Sequence, residues 1–135
     1  MNLSDFFERN KEYGLFFTRV GIAAIFLWFG IDKFIHVQHW IDWVPDWMVS
    51  IIPLSLTMFM YVQGVIETLT GALLLTGYKT RFGAFLAALT LLGVIISMIS
   101  TGQTEVMLRD IGLFGASLAL LFTGSKKLGI DAWHA

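Results

Sequence analysis

Four long apolar stretches dominate the sequence and limit what the chain can fold into. They cover about residues 15–34, 53–76, 82–100 and 106–123. A helix of about 20 apolar residues, rising roughly 1.5 Å per residue, crosses the hydrocarbon core of a bilayer. The sequence therefore predicts an all-α integral membrane protein, a four-helix bundle in one domain over residues 1–135.

The composition agrees with a membrane setting and excludes several functions. Hydrophobic residues make up 56% of the chain and charged residues 14%, against roughly 25% charged in a typical soluble domain. The net charge of −1 offers no basic surface for nucleic acid, so we expect no nucleic-acid partner. The chain has no cysteine, which excludes disulfides, thiolate nucleophiles and Cys-held iron–sulfur clusters within it. Any redox chemistry must therefore rely on a bound group or on a partner.

Basic residues beside the four stretches predict the orientation in the membrane. Seven belong to one side of the predicted bundle and two, Lys33 and Arg109, to the other. The seven are Arg9, Lys11, Arg19, Lys79, Arg81, Lys126 and Lys127. Cytoplasmic flanks of membrane helices carry the excess of lysine and arginine. We therefore expect a multi-pass protein of the cell membrane with both termini in the cytoplasm (N-in/C-in).

The segment between the first two stretches, HVQHWIDWVPDWMVSIIP, is too polar to span a membrane and is rich in tryptophan. Trp40, Trp43 and Trp47 recur at helical spacing, and Pro45 suits the first position of a helix. We therefore expect two short interfacial helices that meet near Val44. Both an aromatic belt at the headgroup level and a lid over a cavity fit these residues.

A further interfacial helix is predicted at the N-terminus. Ser4 is a candidate cap, acidic residues follow it, and Leu3, Phe6 and Phe7 fall on one side. We expect this helix to lie on the inner membrane surface.

Charged residues at membrane depth need a partner, water or a function, because they are costly there. Asp32 and Lys33 end the first stretch, and Arg109 and Asp110 begin the fourth at the same level. Because neighbours on a helix point about 100° apart, we expect Arg109 to need a partner other than Asp110. Pairing across helices, Asp32 with Arg109 and Lys33 with Asp110, would satisfy all four. These side chains are either structural ion pairs or ligand-binding residues.

Glu67 lies deep in the second stretch, and Arg19 is the basic residue nearest to it in depth. Their offset of about 7 Å along the helix axis lets a long arginine side chain reach the carboxylate. A carboxyl group in a desolvated interior can carry a proton near neutral pH, unless Arg19 holds it ionised. We therefore take Glu67, with Arg19, as the candidate catalytic pair for proton exchange, and a structural ion pair as the alternative.

His36 and His39 stand three residues apart and could share a metal ion. Because no third ligand lies nearby in the sequence, we expect interfacial histidines and no metal site.

The order and spacing of these residues resemble a known family. Arg19, FGIDKF with Lys33, the outer segment WVPDW, Glu67 followed by LLLTGYKTR, and LRDIGLFG are similar to the DoxX-like family of small four-span membrane proteins. The resemblance implies association with membrane redox systems. Relatives include the small subunit of an archaeal thiosulfate:quinone oxidoreductase and a mycobacterial partner of superoxide dismutase and a sulfurtransferase. A eukaryotic cargo receptor is a more distant relative, so the fold alone does not define the activity.

A quinone needs an apolar or aromatic slot with one or two hydrogen-bond donors. Trp40, Trp43 and Trp47 could form that slot, with Lys33 and Arg109 as the donors. Since the chain cannot hold electrons itself, it would depend on a bound quinone and a redox partner protein. We therefore expect a membrane subunit of a quinone-linked redox system rather than an enzyme in its own right.

The alternative is a non-catalytic membrane scaffold, or a carrier of a lipophilic small molecule or cargo. A transporter is a third possibility, and four spans would then require a second copy of the chain, as a homodimer.

Overall fold

The computed structural model describes residues 1–133, and His134 and Ala135 lie outside the described residues. Within that range the chain is all-helical and has no strand. The α-helices are α1 (Leu3–Arg9), α2 (Lys11–Ile35), α3 (Val37–Ile41), α4 (Asp46–Val49), α5 (Leu56–Thr76), α6 (Thr80–Thr101) and α7 (Thr104–Thr123). A short 3-10 helix, Ile130–Trp133, follows α7.

Helices α2, α5, α6 and α7 are each long and apolar enough to cross a membrane. They have 25, 21, 22 and 20 residues, which suffices for a hydrocarbon core of about 30 Å. The predicted all-α fold with four candidate spans is thereby confirmed. We name the end of the bundle that carries α3 and α4 the outer end, and the end that carries α1 the inner end.

The short helices also agree with prediction, although their caps differ. Asn2 caps α1, accepting a hydrogen bond from the Asp5 backbone N–H at 2.9 Å, so the expected cap Ser4 is wrong. Pro45 directly precedes α4 and is not its first residue. Trp47 attaches α4 to the end of α6, because its indole N–H donates to the Ser100 hydroxyl at 2.8 Å.

Glycines bring α2 and α5 into close contact. A Cβ added to Gly30 would lie 2.6 Å from the Thr68 hydroxyl oxygen and 3.0 Å from the Gly64 carbonyl oxygen. A Cβ on Gly71 would lie 2.6 Å from Cγ of Leu27. Small residues at these positions let the two backbones approach, as in many membrane helix pairs.

The bundle consists of two such pairs. Helix α2 packs mainly on α5, and α6 mainly on α7, with fewer contacts between the pairs. Buried side chains join the pairs in an apolar core that includes Ile22, Phe26, Leu74, Leu91 and Leu120. The core therefore holds the middle of the bundle together, while its outer end contains open space between the pairs.

The C-terminal segment closes the inner end of the bundle. Asp131 accepts hydrogen bonds from the backbone N–H groups of Lys79 and Thr80, at 2.7 and 2.8 Å, and so caps the start of α6. Burial alone would raise the pKa of Asp131. The hydrogen bonds from Thr80 and Lys79, together with the Arg19 charge, outweigh burial and hold that pKa below its ordinary value.

Candidate functional site

A cavity of about 450 Å³, the outer cavity, lies between the two helix pairs at the outer end. Its volume is in the range typical of small-molecule sites. Aromatic side chains form much of its wall, among them Trp28, Phe29, Trp40, Trp43 and Phe59. Polar side chains reach it from five elements: Asp32, Lys33, His39, Gln63, Glu67, Ser97 and Arg109. An apolar wall with a few polar groups is the usual character of a ligand pocket.

Lys33 and Glu67 form a buried ion pair on the cavity wall. The Lys33 Nζ lies 2.7 Å from Oε2 of Glu67, and the two side chains are only 8% and 7% exposed. The predicted pairing of Glu67 with Arg19 is therefore wrong. Helices α2 and α5 run antiparallel, and Gly30 lies against Thr68, the residue that follows Glu67. Lys33 is about one turn along α2 from Gly30, so its long side chain reaches the Glu67 carboxylate across this close approach.

Arg19 instead holds the C-terminal segment at the inner end. Its side chain is fully buried, and Nη2 donates to the carbonyl oxygens of Lys127 and Leu128 at 3.0 and 3.3 Å. The guanidinium lies against Gly77, which follows α5 and has a positive φ of 64°. Helix α2 extends beyond α5 at this end, so depth counted from the ends of the apolar stretches placed Arg19 too close to Glu67.

Arg109 and Asp110 pair with each other, contrary to prediction. Nε of Arg109 lies 2.8 Å from Oδ1 of Asp110, whose side chain is buried while that of Arg109 is half exposed. The long arginine side chain turns back far enough to overcome the 100° between the two positions. Its guanidinium also lies 5.4 Å from the centre of the Phe29 ring. Lys33 and Asp110 are not paired, although both border a smaller cavity of about 70 Å³.

Asp32 does not pair with Arg109, so that prediction is also wrong. Its Oδ1 lies 2.7 Å from Nδ1 of His36, and its Oδ2 accepts a hydrogen bond from Trp40 Nε1 at 2.9 Å. The Trp40 ring in turn lies 4.0 Å from Nζ of Lys33. Trp40 therefore connects Asp32 with the buried ion pair.

The three predicted tryptophans separate into two groups. Trp40 and Trp43 line the outer cavity, whereas Trp47 does not and instead bonds to Ser100. A helical-spacing argument could not distinguish them, because α3 ends at Ile41 and α4 begins at Asp46, so the three residues are not on one continuous helix.

On α5, the lining residues Phe59, Met60 and Gln63 were not predicted as site residues, whereas Glu67 was. Met60, Gln63 and Glu67 all line the outer cavity. Their spacing of three and four residues puts them on one helical face, which was a usable signal. Within the described part of the chain, no group of three or more His, Asp or Glu residues is placed to hold a metal ion.

The sequence is similar to a protein family and to a known protein. The family model described as DoxX matches residues 14–100. A Bacillus subtilis (strain 168) protein named "Putative oxidoreductase CatD" is 33% identical over 129 residues, covering 92% of this chain and 89% of that protein. No solved structure matches the chain.

Proposed function

Because the chain belongs to the DoxX family of membrane proteins, we propose that it is a membrane subunit of a quinone-linked redox system. It binds the ring of a quinone, or of a similar lipophile, in the outer cavity and works with a redox partner protein. It lies in the cell membrane with both termini in the cytoplasm, so the cavity faces outward. The Bacillus subtilis relative is named as an oxidoreductase, which agrees with this role.

One observation carries the proposal: the outer cavity joins an aromatic wall to a buried ion pair. A flat ring can stack on Trp40, Trp43 or Phe59, and a cavity of about 450 Å³ holds a ring and the start of its tail. Trp28 lines the cavity and is 72% exposed on the surface of the bundle. A long apolar tail can therefore leave the cavity past Trp28 into the lipid.

The polar groups of the wall match the two carbonyl oxygens of a quinone. Lys33 has three N–H donors, and its hydrogen bond to Glu67 uses one of them. Arg109 bonds to Asp110 through Nε, which leaves the donors on its two other nitrogens. Each basic residue can therefore donate to a carbonyl oxygen without losing its acidic partner.

A bound quinone would supply two-electron, two-proton chemistry. The chain supplies the shape of the site, the donors and the exclusion of water. Because it has no cysteine, it carries no thiolate-held electron carrier of its own, and the electrons must come from a partner.

Binding of menadione, a naphthoquinone without a tail, tests the proposal. The purified chain in lipid nanodiscs should bind it saturably, measured by quenching of tryptophan fluorescence, and should carry cellular quinone in its lipid extract. Lys33→Met combined with Glu67→Met removes the donor without leaving a lone charge. That double variant should weaken binding about tenfold or more, the loss expected for one hydrogen bond from a charged group.

Lys11→Gln is the matched control, since Lys11 begins the same helix but lies at the inner end and is exposed. It should bind menadione as the wild type does. If the wild type binds no quinone, and a pull-down recovers partner proteins instead, the scaffold alternative is favoured.

A further inference from the structure

His36 and Asp32 form a hydrogen-bonded pair at the mouth of the outer cavity. The His36 side chain is 64% exposed, and the Asp32 side chain is 24% exposed. Asp32 lines the cavity, whereas His36 does not. The pair therefore connects the exposed surface of the protein to the cavity wall through one hydrogen bond of 2.7 Å.

The atoms of this pair are arranged for proton transfer. Nδ1 of His36 faces Oδ1 of Asp32, while Nε2 has no hydrogen bond to any residue in the range 1–133 and can exchange with water. The Trp40 indole N–H donates to Oδ2 and fixes the orientation of the carboxylate. A carboxylate oxygen can accept two hydrogen bonds and each oxygen of Asp32 has one, so Asp32 keeps capacity for a ligand in the cavity.

Charged groups from the other elements around the cavity do not provide the same connection. Lys33 and Glu67 are bonded to each other and are both buried. Arg109 is bonded to Asp110 on α7. His39 on α3 also lines the cavity and stacks edge-on against Trp40 and Trp43. The cavity wall has two acids, Asp32 and Glu67. Of these two, Asp32 is the one bonded to an exposed side chain that can gain and lose a proton.

We propose that His36 and Asp32 form a proton relay between the outer surface and the lipophile in the cavity; this rests on the proposed function. When a redox partner delivers two electrons to a bound quinone, each of its two carbonyl oxygens must gain one proton. His36, with a proton on Nδ1, takes a second proton from water at Nε2. The resulting imidazolium passes its Nδ1 proton to Oδ1 of Asp32, and Asp32 passes a proton to one carbonyl oxygen. Exchange with water then returns the His36 proton to Nδ1, and the relay supplies the second proton by the same transfers. Oxidation uses the same groups in reverse.

Proton uptake on reduction of bound menadione tests the relay. Reduced methyl viologen supplies electrons without protons, so a pH indicator reports only the two protons taken up per quinone. His36→Ala should slow uptake about 100-fold, the usual scale of one acid–base group. It should leave the menadione Kd unchanged, because His36 does not line the cavity. Imidazole added to the buffer should restore the rate.

Two further variants distinguish relay from structure. Asp32→Asn should slow uptake without rescue by imidazole. Asp42→Asn is the matched control, because it removes the same charge from an exposed acid at the outer end. The Asp42 side chain bonds to Gln38 and does not line the cavity, so this variant should behave as the wild type. NMR of the histidine ring nitrogens gives a readout without turnover: menadione should shift the titration midpoint of His36 in the wild type and not in Asp32→Asn.

The possible failures are separable. Unchanged uptake in His36→Ala, or a loss that imidazole does not restore, would reject the relay while the binding site stands. Failure of the wild type itself to bind menadione would reject the proposed function and the relay with it.

Discussion

Lys33 and Glu67 bury two opposite charges between α2 and α5, where an unpaired charge would be very costly. Their hydrogen bond of 2.7 Å and the Trp40 ring over the lysine offset part of the cost of removing them from water. Arg19 is equally buried, yet it bonds to backbone carbonyls at the inner end. The two buried basic residues of α2 therefore have separate tasks, one at the candidate site and one in attaching the C-terminal segment.

Replacing one member of the buried pair should destabilise the protein more than replacing both. Lys33→Met and Glu67→Met should each lower the free energy of unfolding by about 3 to 5 kcal/mol, because each leaves a buried lone charge. The double variant should lose much less than the sum, since methionines of similar volume fill the same space. Unfolding in mixed micelles measures all three.

The cycle of Arg19→Met with Glu67→Met provides the control. Arg19 contacts the C-terminal segment and not Glu67, so these two losses should add within about 0.5 kcal/mol. Coupling between Arg19 and Glu67, with additive losses for Lys33 and Glu67, would contradict this arrangement of the charges.

Helix α2 has glycines in two different settings, one packed against α5 and one facing open space. Gly30 allows the approach of α5, and that approach sets which residues of the two helices face each other. Gly21, on the same helix, has open space where a Cβ would be. Comparing substitutions at the two glycines therefore separates the effect of close helix packing from the low intrinsic helix propensity of glycine.

Gly30→Ala should destabilise the protein by about 1 to 3 kcal/mol, because the new methyl group would overlap Thr68 and force α2 and α5 apart. Gly21→Ala should be neutral or stabilising by up to about 1 kcal/mol, since alanine is the better helix former. Melting temperatures of both variants in the same detergent make the comparison. Equal effects of the two substitutions would show that the close approach at Gly30 is unimportant.

The two ends of the bundle differ in how they are packed. At the inner end, Asp131 and the buried Arg19 attach the C-terminal segment beneath α5 and α6. At the outer end, the space between the helix pairs remains open beneath α3, and the polar side chains of the candidate site surround it. A closed inner end and an open outer end suit a site reached from the outer surface and the adjacent lipid.

Labelling of single cysteines tests the proposed orientation, since the natural chain has none to interfere. Asp42→Cys, exposed at the outer end, should react in intact cells with a membrane-impermeant maleimide. Lys126→Cys, exposed at the inner end, should react only after permeabilisation. The expectation follows from the seven basic residues near the inner end against two near the outer end. The reverse labelling pattern would overturn it.

The sequence by itself determined the elements of this protein and the identity of its unusual residues. A bilayer demands apolar helices of a certain length, so hydropathy alone predicted four candidate spans. The two short helices between the first spans followed from the proline and tryptophan spacing. Charges in apolar stretches stand out for the same reason, so the sequence alone was enough to select Asp32, Lys33, Glu67 and Arg109.

Only the tertiary structure decided which of these residues meet. Partner choice depends on the axial register between helices, and that register comes from the contact of Gly30 with Gly64 and Thr68, not from the ends of the spans. Because α2 extends past α5, Arg19 lies against Gly77 while Lys33 reaches Glu67. Apolar surfaces in a membrane can slide past each other with little change in solvation, so hydropathy cannot determine register and close packing must.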